Sequence, residues 1–263
     1  MDLHLDFTGK AAIVTGAASG IGFCTAKAFA ESGARTAMLD INGEVLSEKA
    51  KEISGEVLPL AVDVTDREAV EKAVKTVYDT YGRIDFLVNC AGGYARRMKK
   101  VPGDTDLLDV PMEVFEWGIA LNLMGPIYMT FSALRYMKET GGCVVNLGSV
   151  TGYEGSSDGI DYPVSKSALM GGFTKSIAEY GAPYGIRCCC VSPGPIMTRK
   201  GMASMTTLLR RPGMPEDIMH MNLYLCSDYG NFITGTNYFV DGGRILLDDK
   251  TRGGNTAYQP EGR

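Results

Sequence analysis

Seven short apolar runs separated by longer amphipathic stretches constrain this chain more than any other feature. The runs are AAIVTG (11 to 16), RTAMLD (35 to 40), VLPLAVDV (57 to 64), IDFLVN (84 to 89), CVVNLGS (143 to 149), IRCCCVS (186 to 192) and TNYFVD (236 to 241). Helix-like patterns fall between them, near 20 to 32, 42 to 53, 66 to 81, 111 to 138, 162 to 181 and 215 to 227. Strands alternating with helices predict repeated βα units, hence a parallel sheet with helices on both faces. No Pro/Ser-rich linker, low-complexity tract or short repeat interrupts the 263 residues. The reading is therefore one doubly wound α/β domain over 1 to 263, on a seven-stranded parallel sheet.

Composition narrows the partners. With 45% hydrophobic residues and a net charge of -5, the chain reads as globular, soluble and mildly acidic, not as a nucleic-acid binder. The start MDLHLDFTGK lacks a basic region followed by an apolar one, and no segment approaches the roughly 18 apolar residues that span a membrane. A cytoplasmic protein without membrane contact is expected. The seven cysteines are an odd number, and CCC at 188 to 190 lies in an apolar run instead of at metal-ligand spacing. Buried thiols are expected, with neither disulfides nor a metal site.

The first run leads into TGAASGIG, residues 15 to 22, with glycines at 16, 20 and 22. Glycines at a strand-to-helix turn let the backbone approach a pyrophosphate, while the helix N-terminus offers free N–H groups and a positive dipole. Asp40 ends the second run, 18 residues beyond Gly22. A carboxylate there accepts hydrogen bonds from ribose hydroxyls and repels a 2′-phosphate, and neither the glycine turn nor Ile41 supplies a base. NAD(H) is expected over NADP(H).

DYPVSK, residues 161 to 166, places Tyr162 and Lys166 one turn apart on one helix face, with Pro163 tolerated in the first turn. A tyrosine of ordinary pKa about 10 must have its phenolate favoured by ~2 to 3 units to take a hydroxyl proton near neutral pH. A neighbouring ammonium supplies that effect, so Lys166, joined by the positive charge of an oxidised nicotinamide, is expected to lower the pKa of Tyr162.

These stretches, in this order, resemble the classical short-chain dehydrogenases/reductases. The resemblance runs from about residue 7 to 243 and includes DV at 63 and 64, NCAG at 89 to 92, Asn122 in ALNLMGP, and NLGS ending at Ser149. SPGPIMT (192 to 198) and ITGTNYFVDGG (233 to 243) extend it. It implies a Rossmann-like fold, an NAD(H)-dependent interconversion of a secondary alcohol and a ketone, and a homotetramer or dimer. Helices 111 to 138 and 162 to 181 would be interface elements.

By the same resemblance, Tyr162 is the general acid/base and Ser149 orients the substrate oxygen. Lys166 also holds the nicotinamide ribose, and Asn122 holds a water that completes the proton relay. The implied cofactor contacts are Gly16, Ser19, Gly20, Ile21 and Gly22, then Asp40, Asp63, Val64, Asn89, Ala91 and Gly92. Pro193, Gly194, Ile196 and Thr198 complete them.

Departures carry their own expectations. Cys90 and Cys189 replace the usual residues, so local hydrogen bonding there should differ. The substrate lid, 190 to 215, is short, and an extension occupies 244 to 263. That extension either covers a neighbouring subunit's site or packs on the oligomer interface, or it frays. YARRMKK at 94 to 100 carries four basic residues in seven. Either it is a solvated loop, or Arg96 or Arg97, with Arg199 or Lys200 of the lid, recognises an anionic substrate such as a sugar acid, hydroxy acid or acyl thioester. A catalytically silent NAD(H)-binding sensor or scaffold is the alternative function. Sugar-nucleotide epimerase or dehydratase chemistry fits the glycine spacing less well, and enoyl reductases of this kind space their tyrosine and lysine further apart.

Overall fold

Strand β1 (Ala11–Thr15) is buried along its whole length, and its side chains alternate between two cores. Ala12 and Val14 enter one, Ala11 and Ile13 the other. That alternation is what a strand covered on both faces requires. The computed structural model of the chain describes residues 5–202 and 205–247. Six further strands join β1: β2 (Arg35–Asp40), β3 (Val57–Ala61), β4 (Phe86–Asn89), β5 (Gly142–Leu147), β6 (Ile186–Pro193) and β7 (Asn237–Val240). All pairings are parallel, in the order β3-β2-β1-β4-β5-β6-β7. The chain runs outward from β1 to β3, then crosses back to lay β4 on the other side of β1. The crevice beyond the carboxyl ends of β1 and β4 is therefore the switch point, where doubly wound sheets hold ligands.

Helices α1 (Gly20–Glu31), α2 (Gly43–Ala50) and α3 (Arg67–Tyr81) follow the first three strands. A one-turn helix α4 (Ala95–Met98) precedes α5 (Met112–Ile119) and α6 (Gly125–Met137). After β5 come the one-turn α7 (Thr151–Glu154), then α8 (Asp161–Ala168) and α9 (Thr174–Gly181), and α10 (Pro215–Cys226) precedes β7. One core gathers Phe29 of α1 and Ile218 of α10 around Phe7 and Phe86, with the three phenyl rings 5.0 to 5.6 Å apart. The other gathers α3, α6 and α9. The α3 sequence shows why it is helical: Asp66 caps it by accepting from Glu68 N and Ala69 N, and Val70, Ala73, Val74, Val77 and Tyr81 share its buried face. Gly82, at φ +72, ends it.

Every expected strand and helix is present, with shifts at the ends. The strand expected to reach 64 stops at Ala61, because Asp63 Oδ1 accepts from Thr65 N and Oγ1 and turns the chain. The two long helices each contain a π turn, at Ala120–Met124 and Leu169–Phe173. In each a side chain takes a carbonyl of the turn: Asn122 Nδ2 donates to Gly118 O at 2.9 Å, and Thr174 Oγ1 donates to Leu169 O at 2.7 Å. Such bulges arise where a side chain enters the backbone ladder.

The seven cysteines are free thiols, five of them buried. Among the described residues, no helix is long and apolar enough to cross a membrane. Of the expected C-terminal extension, residues 248–263 lie outside the described residues.

Candidate active site

The turn between β1 and α1 is shaped by contacts that only glycine permits. A Cβ on Gly22 would collide with Gly16 O, and one on Gly16 (φ +65) would stand 3.0 Å from Ala91 N. Gly20 (φ +54) opens α1 beneath Thr198, whose methyl would lie 3.2 Å from a Cβ there. Ser19, the N-cap, makes no side-chain cap, so α1 presents uncapped N–H groups at the crevice, Ile21 and Gly22 lying in that first turn. Asp40, at the end of β2, folds back on this turn: Oδ2 accepts from Ala18 N at 3.1 Å and Oδ1 from Asn42 N at 2.9 Å. A cradle that any Cβ would fill, an uncapped helix N-terminus and a carboxylate closing the second strand fit a dinucleotide.

The other expected cofactor residues are distributed around this cradle. Ala91 N donates to Thr15 Oγ1 at 2.9 Å, which holds the end of β4 beside β1. Val64 is buried against Gly125, and Asp63 keeps Oδ2 outside its turn bonds. Ile196 bridges to Gly213, and Gly194 packs so closely on Asp241 that a Cβ would lie 2.6 Å from its Cα. Pro193 O accepts from Val150 N at 3.0 Å, tying the end of β6 to the segment after Ser149. Asn89 is different. Its Nδ2 donates to Thr130 Oγ1 (3.1 Å) and Asn146 Oδ1 (2.9 Å), so its side chain serves the core between β4, β5 and α6.

Four residues converge at the carboxyl ends of β4 and β5. Ser149 lies just beyond β5; its Oγ accepts from Thr151 N at 3.1 Å, and its hydroxyl is close enough to the Tyr162 phenol to pull the phenol's pKa down. Tyr162 and Lys166 rise from one face of α8, with Lys166 Nζ 5.6 Å from the centre of the Tyr162 ring. Gly92 sits between Lys166 and Asn122: a Cβ there would lie 3.4 Å from Lys166 Nζ and 2.8 Å from Asn122 Oδ1. Asn122 grips Gly93 from both sides, donating to Gly93 O and accepting from Gly93 N, each at 2.9 Å.

Burial dominates the electrostatics of the cofactor-free site. Lys166 is 3% exposed and burial brings its amine down to about 8, against smaller upward effects of the Cys190 and Cys90 thiols. Those two thiols are themselves pushed up to about 12 by burial, with Lys166 pulling them back, so they stand as neutral neighbours. Tyr162 is raised above its ordinary value by burial. The Ser149 hydroxyl and the charge of Arg97 pull it back down. The Lys166 amine is turned to Leu147 O, to which it donates at 2.7 Å.

One correction concerns Arg96. Its side chain is 7% exposed and donates to Asp158 Oδ1 (2.8 Å), Asp158 O (2.7 Å), Thr105 O (2.6 Å) and Pro102 O (3.4 Å). A buried guanidinium with its donors so committed has nothing to offer a substrate. Arg97, by contrast, is exposed, as are Arg199 and Lys200 on the lid.

Asp158 and Tyr94 were not singled out by sequence reasoning. Tyr94 Oη donates to Asp158 Oδ2 at 3.0 Å, and its ring meets the Tyr162 ring edge-on at 5.9 Å. Gly159 is pressed on Tyr94, where a Cβ would lie 2.6 Å from Oη. Arg244 was also passed over; its Nε pairs with Glu154 Oε1 at 3.1 Å, tying the end of the described chain to α7. The only signals in the sequence were position: Tyr94 directly after NCAGG, Arg244 directly after VDGG, and Asp158 in a turn-forming SSDG.

Residues 16–244 match a family model described as Enoyl-(Acyl carrier protein) reductase. The 3-oxoacyl-(acyl-carrier-protein) reductase FabG of Thermotoga maritima is 37% identical over 251 residues, covering 90% of this chain and 98% of the relative. The NAD-dependent glycerol dehydrogenase of Listeria innocua is 35% identical, covering 93% of this chain and 97% of the relative. The 3beta-hydroxysteroid dehydrogenase 2 of Eggerthella lenta is 34% identical, covering 89% and 94%. A solved short-chain type dehydrogenase/reductase from Mycobacterium marinum superimposes with a TM-score of 0.84 at 32% identity, covering 93% of this chain and 98% of that one.

Proposed function

The chain belongs to the short-chain dehydrogenase/reductase family of oxidoreductases, and on that premise we propose that it interconverts a secondary alcohol and a ketone with NAD(H). The observation that carries this reading is the meeting of Ser149, Tyr162, Lys166 and Asn122 at one end of the sheet. In oxidation, Tyr162 takes the hydroxyl proton of the substrate while Ser149 donates a hydrogen bond to its oxygen, and in reduction Tyr162 returns the proton. When bound, the nicotinamide accepts or returns the hydride and, oxidised, adds a positive charge beside the phenol. Lys166 holds the nicotinamide ribose and, with Asn122, passes the proton between Tyr162 and solvent.

The dinucleotide would lie over Gly16, Ser19, Gly20, Ile21 and Gly22, with Asp40 on its adenosine ribose. No base accompanies Asp40 in the glycine turn or at Ile41, which supports NAD(H) over NADP(H). The matched family description names enoyl reduction, but the four-residue spacing of Tyr162 and Lys166, with Ser149 beside the phenol, suits a carbonyl oxygen. The relatives named above carry three different substrates in their names, so the substrate must be read from this chain's own pocket. The exposed cation Arg97, whose charge reaches the phenol, favours an anionic one, such as a sugar acid, a hydroxy acid or an acyl thioester. We place the protein in the cytoplasm as a homotetramer or dimer. Exposed Phe131 of α6, with Val164 of α8 and Tyr180 of α9, supports an interface there.

The test is NADH formation from NAD with pooled neutral and carboxylated secondary alcohols, the parent beside Tyr162→Phe. Turnover by the parent alone supports the reading. NADH binding without turnover of any alcohol or ketone favours a silent sensor of the same fold.

A further inference from the structure

We propose that Arg97 is the anchor for a carboxylate carried by the substrate, held on the side of the catalytic phenol by the Asp158 clasp. The inference rests on the dehydrogenase reading and names its substrate class: an oxo acid and the matching hydroxy acid. Of the four basic residues in RRMKK, two are already occupied. Arg96 is buried and bonded to Asp158, Pro102 and Thr105, and Lys99 Nζ lies 4.0 Å from the centre of the Trp117 ring. Lys100, at φ +57, ends the helical turn, its N–H donating to Arg97 O. Arg97 is exposed and makes no ion pair or side-chain hydrogen bond among the described residues.

Its placement follows from the helix. Tyr94 is the N-cap of α4 and Arg97 stands three residues on, within the same single turn. Tyr94 lays its ring against Tyr162, and Arg97 comes close enough for its charge to stabilise the phenolate. The turn is held at several points. Asp158 receives both Tyr94 and Arg96, Asn122 grips Gly93, and Gly93 leaves no room for a Cβ beside Met98 Sδ, which would lie 2.6 Å away. The turn that carries Arg97 is fixed in this way beside the phenol, and a guanidinium meets a carboxylate through two parallel N–H donors.

The probes are pyruvate, acetoacetate and levulinate, each beside its methyl ester, so that charge varies while the carbon skeleton stays and the carbonyl-to-carboxylate distance is scanned. Two quantities are read: NADH consumption, and the dissociation constant of each probe from the enzyme–NADH complex by NADH fluorescence. The expected result is that the parent prefers at least one acid over its ester on the order of 10- to 100-fold, the worth of a charge-assisted hydrogen-bond pair. Arg97→Ala removes that preference and Arg97→Lys keeps part of it. A parent without preference for any acid, or the same preference in Arg97→Ala, overturns the anchor. Tyr162→Phe should lose turnover and keep the binding preference; if it kept turnover, the dehydrogenase reading would fail while the anchor stood.

Discussion

Lys166 Nζ donates to Leu147 O at 2.7 Å while standing 5.6 Å from the centre of the Tyr162 ring, so the amine is fixed by the strand end instead of by the phenol. It is also buried, and its pKa falls from 10.5 to about 8. A buried ammonium of this kind costs stability: the shift corresponds to about 3 kcal/mol, partly offset by the bond to Leu147 O. Below about pH 8 folded and unfolded chains both carry the proton and the cost is fully present. Between about 8 and 10.5 the unfolded chain binds more protons, so stability rises with pH, and above 10.5 the cost is gone. Lys166→Met should therefore raise the melting temperature of the cofactor-free protein at neutral pH, narrow its advantage through that window, and abolish turnover. Thermal melts across pH check this; an unaltered or lower melting temperature at pH 7 would contradict it.

Gly22 tests the cradle. A Cβ there runs into Gly16 O, and the main chain cannot give way as a flexible side chain could. Gly22→Ala should destabilise the fold by about 1 to 3 kcal/mol, as overpacking does. It should also weaken NADH binding more than tenfold (~1.4 kcal/mol) by moving the first turn of α1. Gly103→Ala, where a Cβ meets nothing within 4 Å, is the control that should bind as the parent does. Fluorescence titration with NADH separates the two.

What the sequence disclosed, and what it hid, follows from how far apart the interacting residues are. β1, β2 and β6 were legible because each buries a continuous apolar run, and α3 because its cap and apolar spacing lie within fifteen residues. Tyr162 and Lys166 were legible because helix geometry alone relates them. Arg96 and Arg97 looked alike in sequence, and only the fold distinguishes them, by bringing Asp158, 62 residues away, to one and not the other. The π turns escaped because Asn122 and Thr174 are compatible with ordinary helix until their side chains find Gly118 O and Leu169 O. The effect of burial on Tyr162 escaped for a similar reason: spacing says that Lys166 is near, but not that burial raises the phenol in the cofactor-free site or that the amine is turned to Leu147.

Asp40 tests the cofactor preference. Its two oxygens accept from Ala18 N and Asn42 N, so Asn in its place keeps one of those bonds, loses the other and removes the charge. Asp40→Asn should weaken NADH binding and relieve the repulsion of a 2′-phosphate, shifting the NADH-to-NADPH affinity ratio by on the order of 10- to 100-fold toward NADPH. Titration of both dinucleotides checks it. A parent that already binds NADPH as well as NADH would overturn the assignment of Asp40.

The pH profile tests the partners of Tyr162. Oxidation needs the phenolate, so kcat/KM for an alcohol at saturating NAD should rise with pH and level off above the pKa of Tyr162. Burial raises that pKa, whereas the Ser149 hydroxyl and the Arg97 charge lower it. Removing either lowering influence must move the rising limb to higher pH. Arg97→Ala should therefore shift the limb upward and lose most of its rate on the acid side, where little phenolate remains. High salt should mimic part of this in the parent, since Arg97 is exposed and its field is screened over about 10 Å at 0.1 M ionic strength. Ser149→Ala should shift the limb in the same direction and also reduce the plateau, because the bond to the substrate oxygen is lost at every pH, by about 2 to 4 kcal/mol if it acts as an oxyanion donor. Initial rates across the rising limb decide the matter: a limb that stays in place in Arg97→Ala means that its charge does not reach the phenol.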